Sequence, residues 1–160
     1  MLNPLLVRLH VAASASAITL IATFLASSGI TELTGGAGDI RVLRHGVVLG
    51  LPLLVACLAT AGLTGRHLAG DSRSAIVRRK QRRLQVAAAV GVLVLVPCAL
   101  ILNHLAAGPT TSRAFTALEV TEFLFGTVNL SLLVANFRDG RRMTRHRRPA
   151  QVAERAGRTP

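Results

Sequence analysis

The stretch FTALEVTEFLFGTVNLSLLVANF, residues 115–137, has the length and composition of a membrane-spanning helix but contains two acidic residues, Glu119 and Glu122. A helix needs about 20 mostly apolar residues to cross a bilayer, and a carboxylate is among the most costly side chains to place in hydrocarbon. The two glutamates begin a series at steps of three and four: Glu119, Glu122, Gly126, Asn129, Leu133 and Asn136. This spacing puts all six on one helix face. The sequence therefore predicts an interhelical polar seam or partner contact at Glu119, Glu122, Gly126, Asn129 and Asn136, turned away from lipid.

Three further stretches are long and apolar enough to cross a bilayer. Of the 160 residues, 51% are hydrophobic and 16% are charged, which is more apolar surface than one soluble core of this size can bury. The spans are predicted at about 9–31, 46–65, 84–107 and 114–137. The expected fold is all-α, an integral membrane four-helix bundle in one domain of residues 1–137. Residues 138–160 are predicted to form a basic, flexible cytoplasmic tail.

The basic residues predict the orientation of the bundle. One of the 19 precedes the first span, seven lie between the second and third, eight follow the fourth, and three lie in the other two connections. By the positive-inside rule, both termini are cytoplasmic and the protein is a multi-pass protein of the inner membrane. The basic clusters are predicted to set the topology and to contact anionic lipid headgroups, chiefly through Arg78, Arg79, Lys80, Arg82, Arg83, Arg141 and Arg142. A net charge of +12 could suit nucleic acid, but its confinement to segments beside apolar runs disfavours that partner.

Small residues predict where the helices pack, because interfaces in lipid depend on close approach and polar contacts. The first span offers Ser16, Thr19, Thr23 and Ser27 at steps of three and four, and the second offers Gly46, Gly50, Cys57, Thr60 and Thr64. Both sets are expected inside the bundle. Cys57 and Cys98 lie in apolar runs without a CxxC spacing and are expected to be free thiols.

Three roles for Glu119 and Glu122 stay open on the sequence alone. They can hydrogen-bond across helices and stabilise assembly. They can join His45 and His104 in a metal site, although Glu-x-x-Glu lacks the Glu-x-x-His spacing of carboxylate-bridged bundle sites. They can also handle protons or a substrate. The first role is the expectation, with no metal site.

Histidines near the ends of neighbouring spans raise the question of haem. His45 and His104 fall at one membrane surface and His10 and His67 at the other, so either pair could act as bis-His ligands of haem b. The arrangement is similar to that of cytochrome b561-type bundles, except that every histidine lies at or beyond a helix end. Interfacial histidines without a ligand are the simpler interpretation, so no cofactor is predicted and haem b is the alternative.

Three segments carry a resemblance: NPLLVRLH (residues 3–10), RRKQRR (78–83) and NLSLLVANFRDGRR (129–142). They resemble small four-span bacterial inner-membrane proteins of unassigned function. The resemblance implies the same topology and no active site.

No nucleophile–base pair, phosphate loop or metalloprotease helix is present, so no catalytic residues are expected. The sequence favours a non-catalytic accessory or stabilising subunit of a larger membrane transport or respiratory complex. Its partners would be other membrane subunits or further copies of the chain. A b-type haem electron-transfer protein is the alternative.

Overall fold

The computed structural model of this chain describes residues 3–70, 75–110 and 112–156. The helices are α1 (Pro4–Thr34), α2 (Ala37–Ala69), α3 (Ala75–Val90), α4 (Val96–Leu105) and α5 (Arg113–Ala156), with a π-helical segment at Gly91–Leu95 that joins α3 and α4 into one third span. The described part of the chain contains no strand. Four helical stretches are long and apolar enough to cross a membrane, at Pro4–Thr34, Ala37–Ala69, Gln81–Leu105 and Arg113–Arg141. The prediction of an all-α fold with four helices long and apolar enough to span a membrane is confirmed for the described residues.

The helices extend beyond the predicted spans. A turn of only two residues, Gly35 and Gly36, separates α1 from α2, so α2 begins nine residues before the predicted start at Gly46. At the other end, α5 continues to Ala156. Residues 138–156 of the predicted tail are therefore helical, which the lack of apolar periodicity there did not indicate.

The four spans form a ring in which α1 and the third span each pack against α2 and α5. Across both diagonals of the ring, the described residues include no Cα pair within 8 Å. The backbone of α1 therefore does not meet that of the third span, and the backbone of α2 does not meet that of α5. We call the end of the bundle with the Gly35–Gly36 turn and residues 106–112 the turn end, and the opposite end the terminal end. The diagonal between α2 and α5 is the one that matters for the site.

Side chains fix the helix ends at the turn end. The carboxylate of Asp39 accepts a hydrogen bond of 2.8 Å from the Gly36 amide at the start of α2, which suits an acidic group in the first turn of a helix. Arg41 donates to the carbonyls of Ala106 and Ala107 at 3.2 and 3.0 Å. These carbonyls end the third span, so Arg41 ties α2 to it.

The two prolines within the spans have different effects on the helices. Pro52 lies inside α2, which runs through it without interruption. Pro97 is the second residue after the π-helical segment, at whose end the Val96 amide donates to the Gly91 carbonyl five residues back. A proline has no amide to donate, and π-helical turns are one way in which a helix adjusts around a missing bond.

Glycines allow α1 to approach its two neighbours. A Cβ on Gly50 of α2 would lie 2.6 Å from Cζ of Phe24, and a Cβ on Gly126 of α5 would lie 2.8 Å from Cδ2 of Leu25. Gly46 is open by contrast, with nothing within 4 Å of such a Cβ. The second-span prediction is therefore right for Gly50 and wrong for Gly46.

The prediction for the first span is wrong for three of its four residues, whereas Ser27 is half-buried. Ser16, Thr19 and Thr23 are exposed on the outside of the bundle, and α1 instead buries Ala13, Ala17, Ile21 and Ser28. Ile21 on that face packs in a core cluster with residues of α2 and α5, so Ser16, Thr19 and Thr23 turn outward while Ser28 is buried.

Candidate functional site

Arg44 of α2 is the centre of the polar group inside the bundle. Its side chain is 1% exposed, and it lies in a helix that is long and apolar enough to cross a membrane. Nη2 of Arg44 donates to Oε1 of Glu119 at 2.6 Å, and Nη1 donates to Oε2 of Glu122. Both glutamates belong to α5, so the guanidinium bridges the diagonal on which the backbones do not meet.

Helix phase explains why this arginine points inward. It falls on a face of α2 whose members recur at steps of four and three and are buried or partly buried: Ile40, Arg44, Val47, Leu51, Leu54, Leu58 and Ala61. Arg44 is seven residues from the start of α2 and Glu119 six from the start of α5. At 1.5 Å per residue, both lie about 10 Å from the turn end. The guanidinium and carboxylates therefore meet at equal depth.

Two more side chains complete the surroundings of the guanidinium. Glu32, near the end of α1, brings a third carboxylate to 4.0 Å from Nη2 of Arg44. The ring of Phe115 lies under the guanidinium, with Cζ of Arg44 5.7 Å from the ring centroid, within the range of a cation–π contact. We call Arg44, Glu32, Glu119 and Glu122 the Arg44 cluster.

The cluster is partly screened from solvent. The side chains of Glu119 and Glu122 are 19% and 15% exposed, and that of Glu32 is 32% exposed. Nε of Arg44 is buried and has no hydrogen-bond partner among the described residues. The cluster thus holds one cation against three carboxylates and leaves one donor unused.

A cavity of about 420 Å³ adjoins the cluster in the middle of the bundle. All four spans line it, and it reaches from Glu32 toward Ile21 along α1. Eleven residues of helix separate these two positions, which is about 16 Å. Apart from the cluster and Ser28, the lining side chains are apolar. We call this space the central cavity.

The remaining residues of the predicted polar seam lie on the same face of α5, between the cluster and the terminal end of the bundle. Asn129, Leu133 and Asn136 are buried, as is Gly126. The Asn129 amide nitrogen lies near Gly91, where a Cβ would be 3.6 Å from it. The seam therefore faces the third span at the π-helical segment, and its Glu–Arg part faces α2.

The candidate haem ligands are spread over the two ends of the bundle. His45, His104 and His67 are exposed. His10 lies between α1 and α2, with Nδ1 3.0 Å from the carbonyl oxygen of Ala61 and 3.1 Å from Oγ1 of Thr64. The His10 ring thus makes an interhelical contact at the terminal end.

No metal-binding group emerges from the described residues: no three His, Cys, Asp or Glu side chains within 3–70, 75–110 and 112–156 are arranged to hold an ion. His45 and His104 are thus not combined with Glu119 and Glu122 in the way that the metal hypothesis required. Cys57 and Cys98 are free thiols.

The basic residues predicted to contact headgroups lie at the terminal end. Arg78, Arg79, Arg82 and Arg141 are exposed. Arg83 is less exposed, because its Nη1 donates to Oδ2 of Asp139 at 2.8 Å and links the third span to α5. The side chains of Lys80 and Arg142 lie outside the described part of the chain.

Comparisons of the chain with protein-family models, with curated proteins and with solved structures each found no match. The function is therefore inferred from the structure alone.

The sequence prediction misses Arg44. The predicted second span begins at Gly46, so Arg44 falls in the connection before it. There it is one of the three basic residues on the less basic side of the membrane. A signal is present in the sequence nonetheless, since Arg44 continues the buried face of α2 toward Ile40 in register.

Proposed function

We propose that this chain is a non-catalytic accessory or stabilising subunit of a larger transport or respiratory assembly in the bacterial inner membrane, with both termini in the cytoplasm. The observation that carries the proposal is an exposed stripe of small and hydroxyl-bearing residues on α1. It consists of Ala12, Ser16, Thr19, Thr23 and Ala26, all exposed and spaced by four and three.

The exposed stripe has the composition of an interface in lipid. Small residues allow two helix backbones to approach closely, and hydroxyl groups can hydrogen-bond across the contact. The other helices expose large apolar side chains, such as Leu49 and Leu53 on α2 and Leu100 on α4, among smaller exposed residues such as Ala59 and Ala88. The contrast supports a helix of another subunit, or of a second copy, against α1.

Bulky substitutions on the stripe test the proposal. We expect Ser16→Leu and Thr23→Leu to remove the partner that co-purifies with the tagged chain from its native membranes in mild detergent. The matched control is Ala88→Leu, also an exposed small residue but on α3, diagonally opposite α1. It should retain the partner, and all three variants should keep the helical circular dichroism of the wild type.

Two outcomes would contradict the proposal. One is a chain that stays solitary in the mildest detergents at every expression level. The other is partner loss in Ala88→Leu that equals the loss in the stripe variants, because the effect would then be general. Mass analysis of the retained complex separates a second copy from a different subunit.

The b-type haem alternative has its own readout. A purified chain with bis-His haem would show a Soret band and reducible α and β bands, lost in His45→Ala and His104→Ala. The accessory proposal expects no such bands.

A further inference from the structure

The Arg44 cluster is short of positive charge. Glu32 and Glu119 both approach the same Nη2 atom of Arg44, at 4.0 and 2.6 Å. Glu122 takes the other terminal nitrogen. No other Lys or Arg lies within ion-pair distance of these carboxylates in the described part of the chain. Neighbouring carboxylates in a medium of low dielectric repel each other unless a cation or proton lies with them.

Glu32 is the carboxylate that Arg44 does not neutralise directly. Its nearest basic atom is Nη2 of Arg44 at 4.0 Å, beyond hydrogen-bond distance. Glu32 instead hydrogen-bonds to the side chain of Glu119, which two carboxyl groups can do only while a proton lies between them. A cationic donor at this position would take the place of that proton and donate to both carboxylates.

The central cavity supplies the complementary apolar part. Its volume of about 420 Å³ lies in the range of small-molecule sites, which combine apolar walls with a few polar groups at one end. Phe24 and Phe123 are among the lining residues, and aromatic faces attract organic cations. The lining includes exposed side chains of both α1 and α5, namely Leu33 and Leu124. The cavity therefore reaches the bundle surface between these two helices.

We propose that the central cavity binds an amphiphilic amine, with its ammonium group at Glu32 and Glu119 and its apolar body between the four spans. The ammonium supplies the positive charge that the cluster lacks. The ligand enters from the membrane between α1 and α5, so its apolar part never has to cross water. This binding site is separate from the exposed stripe on α1 and does not depend on the subunit role proposed above.

Three ligands with the same tail and different heads test the charge requirement: dodecylammonium, dodecanol and dodecyl sulfate. Binding is measured by equilibrium dialysis of the full chain in phosphatidylcholine nanodiscs, with empty nanodiscs subtracted. We expect saturable binding of one dodecylammonium per chain. Dodecanol should bind at least about tenfold more weakly, since it lacks the charge-assisted contact, and dodecyl sulfate should not bind saturably.

Two substitutions with equal charge change locate the head. Glu32→Gln removes a carboxylate that makes no short contact with Arg44, so the bundle should stay intact and dodecylammonium binding should weaken about tenfold or more. Asp39→Asn removes one negative charge from the same end of the bundle but outside the cavity, and should leave binding unchanged. Equal weakening in both variants would show attraction to the surface and would overturn the proposal.

A third variant locates the tail. Ala99 of α4 is buried and lines the cavity, so Ala99→Leu should occupy part of the space and weaken binding while all the carboxylates remain. Wild-type affinity in Ala99→Leu would show that the ligand lies elsewhere. If dodecanol binds as tightly as dodecylammonium and Glu32→Gln has no effect, the cavity accepts lipid chains regardless of charge, and the amine proposal fails.

Discussion

Replacement of Arg44 by methionine would leave Glu119 and Glu122 inside the bundle without a cation. Methionine keeps the aliphatic length of the side chain and fills most of its volume, so the change isolates the guanidinium. Removing one partner of a buried ion pair costs about 3–5 kcal/mol, because the remaining charge is left unpaired. The two carboxylates keep exposures of 19% and 15%, so water screens them in part. We therefore expect a loss at the low end of the range, about 3 kcal/mol, or roughly a 150-fold change in the folding equilibrium.

The matched control is Arg41→Met, one helical turn away on α2. Arg41 is exposed and donates to two backbone carbonyls at 3.2 and 3.0 Å, so its loss should cost about 1 kcal/mol. The triple variant Arg44→Met, Glu119→Gln, Glu122→Gln removes all three charges together. It should recover most of the loss, since replacing a whole buried ionic group is often neutral.

The assay is reversible unfolding in mixed micelles, with helical circular dichroism followed as sodium dodecyl sulfate is added. The comparison of single and triple variants isolates the coupling between the three side chains. The reasoning would be refuted by an Arg44→Met variant no less stable than Arg41→Met. A triple variant as unstable as Arg44→Met would refute it equally, because the cost could not then come from unpaired carboxylates.

Three further predictions address packing, the seam and topology. Gly46→Ala should stabilise the bundle by up to about 1 kcal/mol, because alanine favours a helix and meets open space there. Gly50→Ala should be the less stable variant of the two, because its Cβ would lie 2.6 Å from Cζ of Phe24 and the ring must move. Equal effects in the same unfolding assay would contradict the close approach. If the Glu122 side chain serves assembly, Glu122→Gln should lower bundle stability only slightly and Glu122→Leu should lower it by about 0.6–2 kcal/mol. A Gln variant that assembles fully but has lost the activity of the parent complex would instead point to a role for the charge. In a background without the native cysteines, a cysteine at Ala37 should react with an impermeant thiol reagent from outside and one at Ser74 should not; the reverse labelling would overturn the orientation.

The number and identity of the spans could be read from the sequence, because an apolar run of about 20 residues is typical of a membrane helix and rare in soluble proteins. The helix starts could not. The first turns of α2 contain Asp39, Arg41 and Arg44, which lower hydropathy below that of a span although the backbone is already helical. Hydropathy reports contact with lipid, whereas a helix continues wherever its backbone bonds and caps allow.

The internal face of α5 could be predicted from the sequence and that of α1 could not. The difference lies in how much each kind of polar side chain costs in lipid. On α5 the polar residues include carboxylates, whose cost in lipid leaves only the interior. On α1 the polar residues are serines and threonines, which can satisfy their hydroxyl groups on the backbone of their own helix, as Ser27 does on Thr23. Such residues tolerate either side of the helix, so their spacing does not determine its rotation.

The position of the charges accounts for the presence of glutamates in a membrane helix. Helices α2 and α5 face each other across a diagonal where no backbone contact exists among the described residues. The long side chains of Arg44, Glu119 and Glu122 span that gap at the level of the cluster. At other levels apolar side chains join the two helices, since Ile40 and Phe115 belong to one core cluster. The Arg44 cluster thus links α2 to α5 beside the central cavity, and at that level the polar contact replaces the apolar packing that joins the two helices elsewhere.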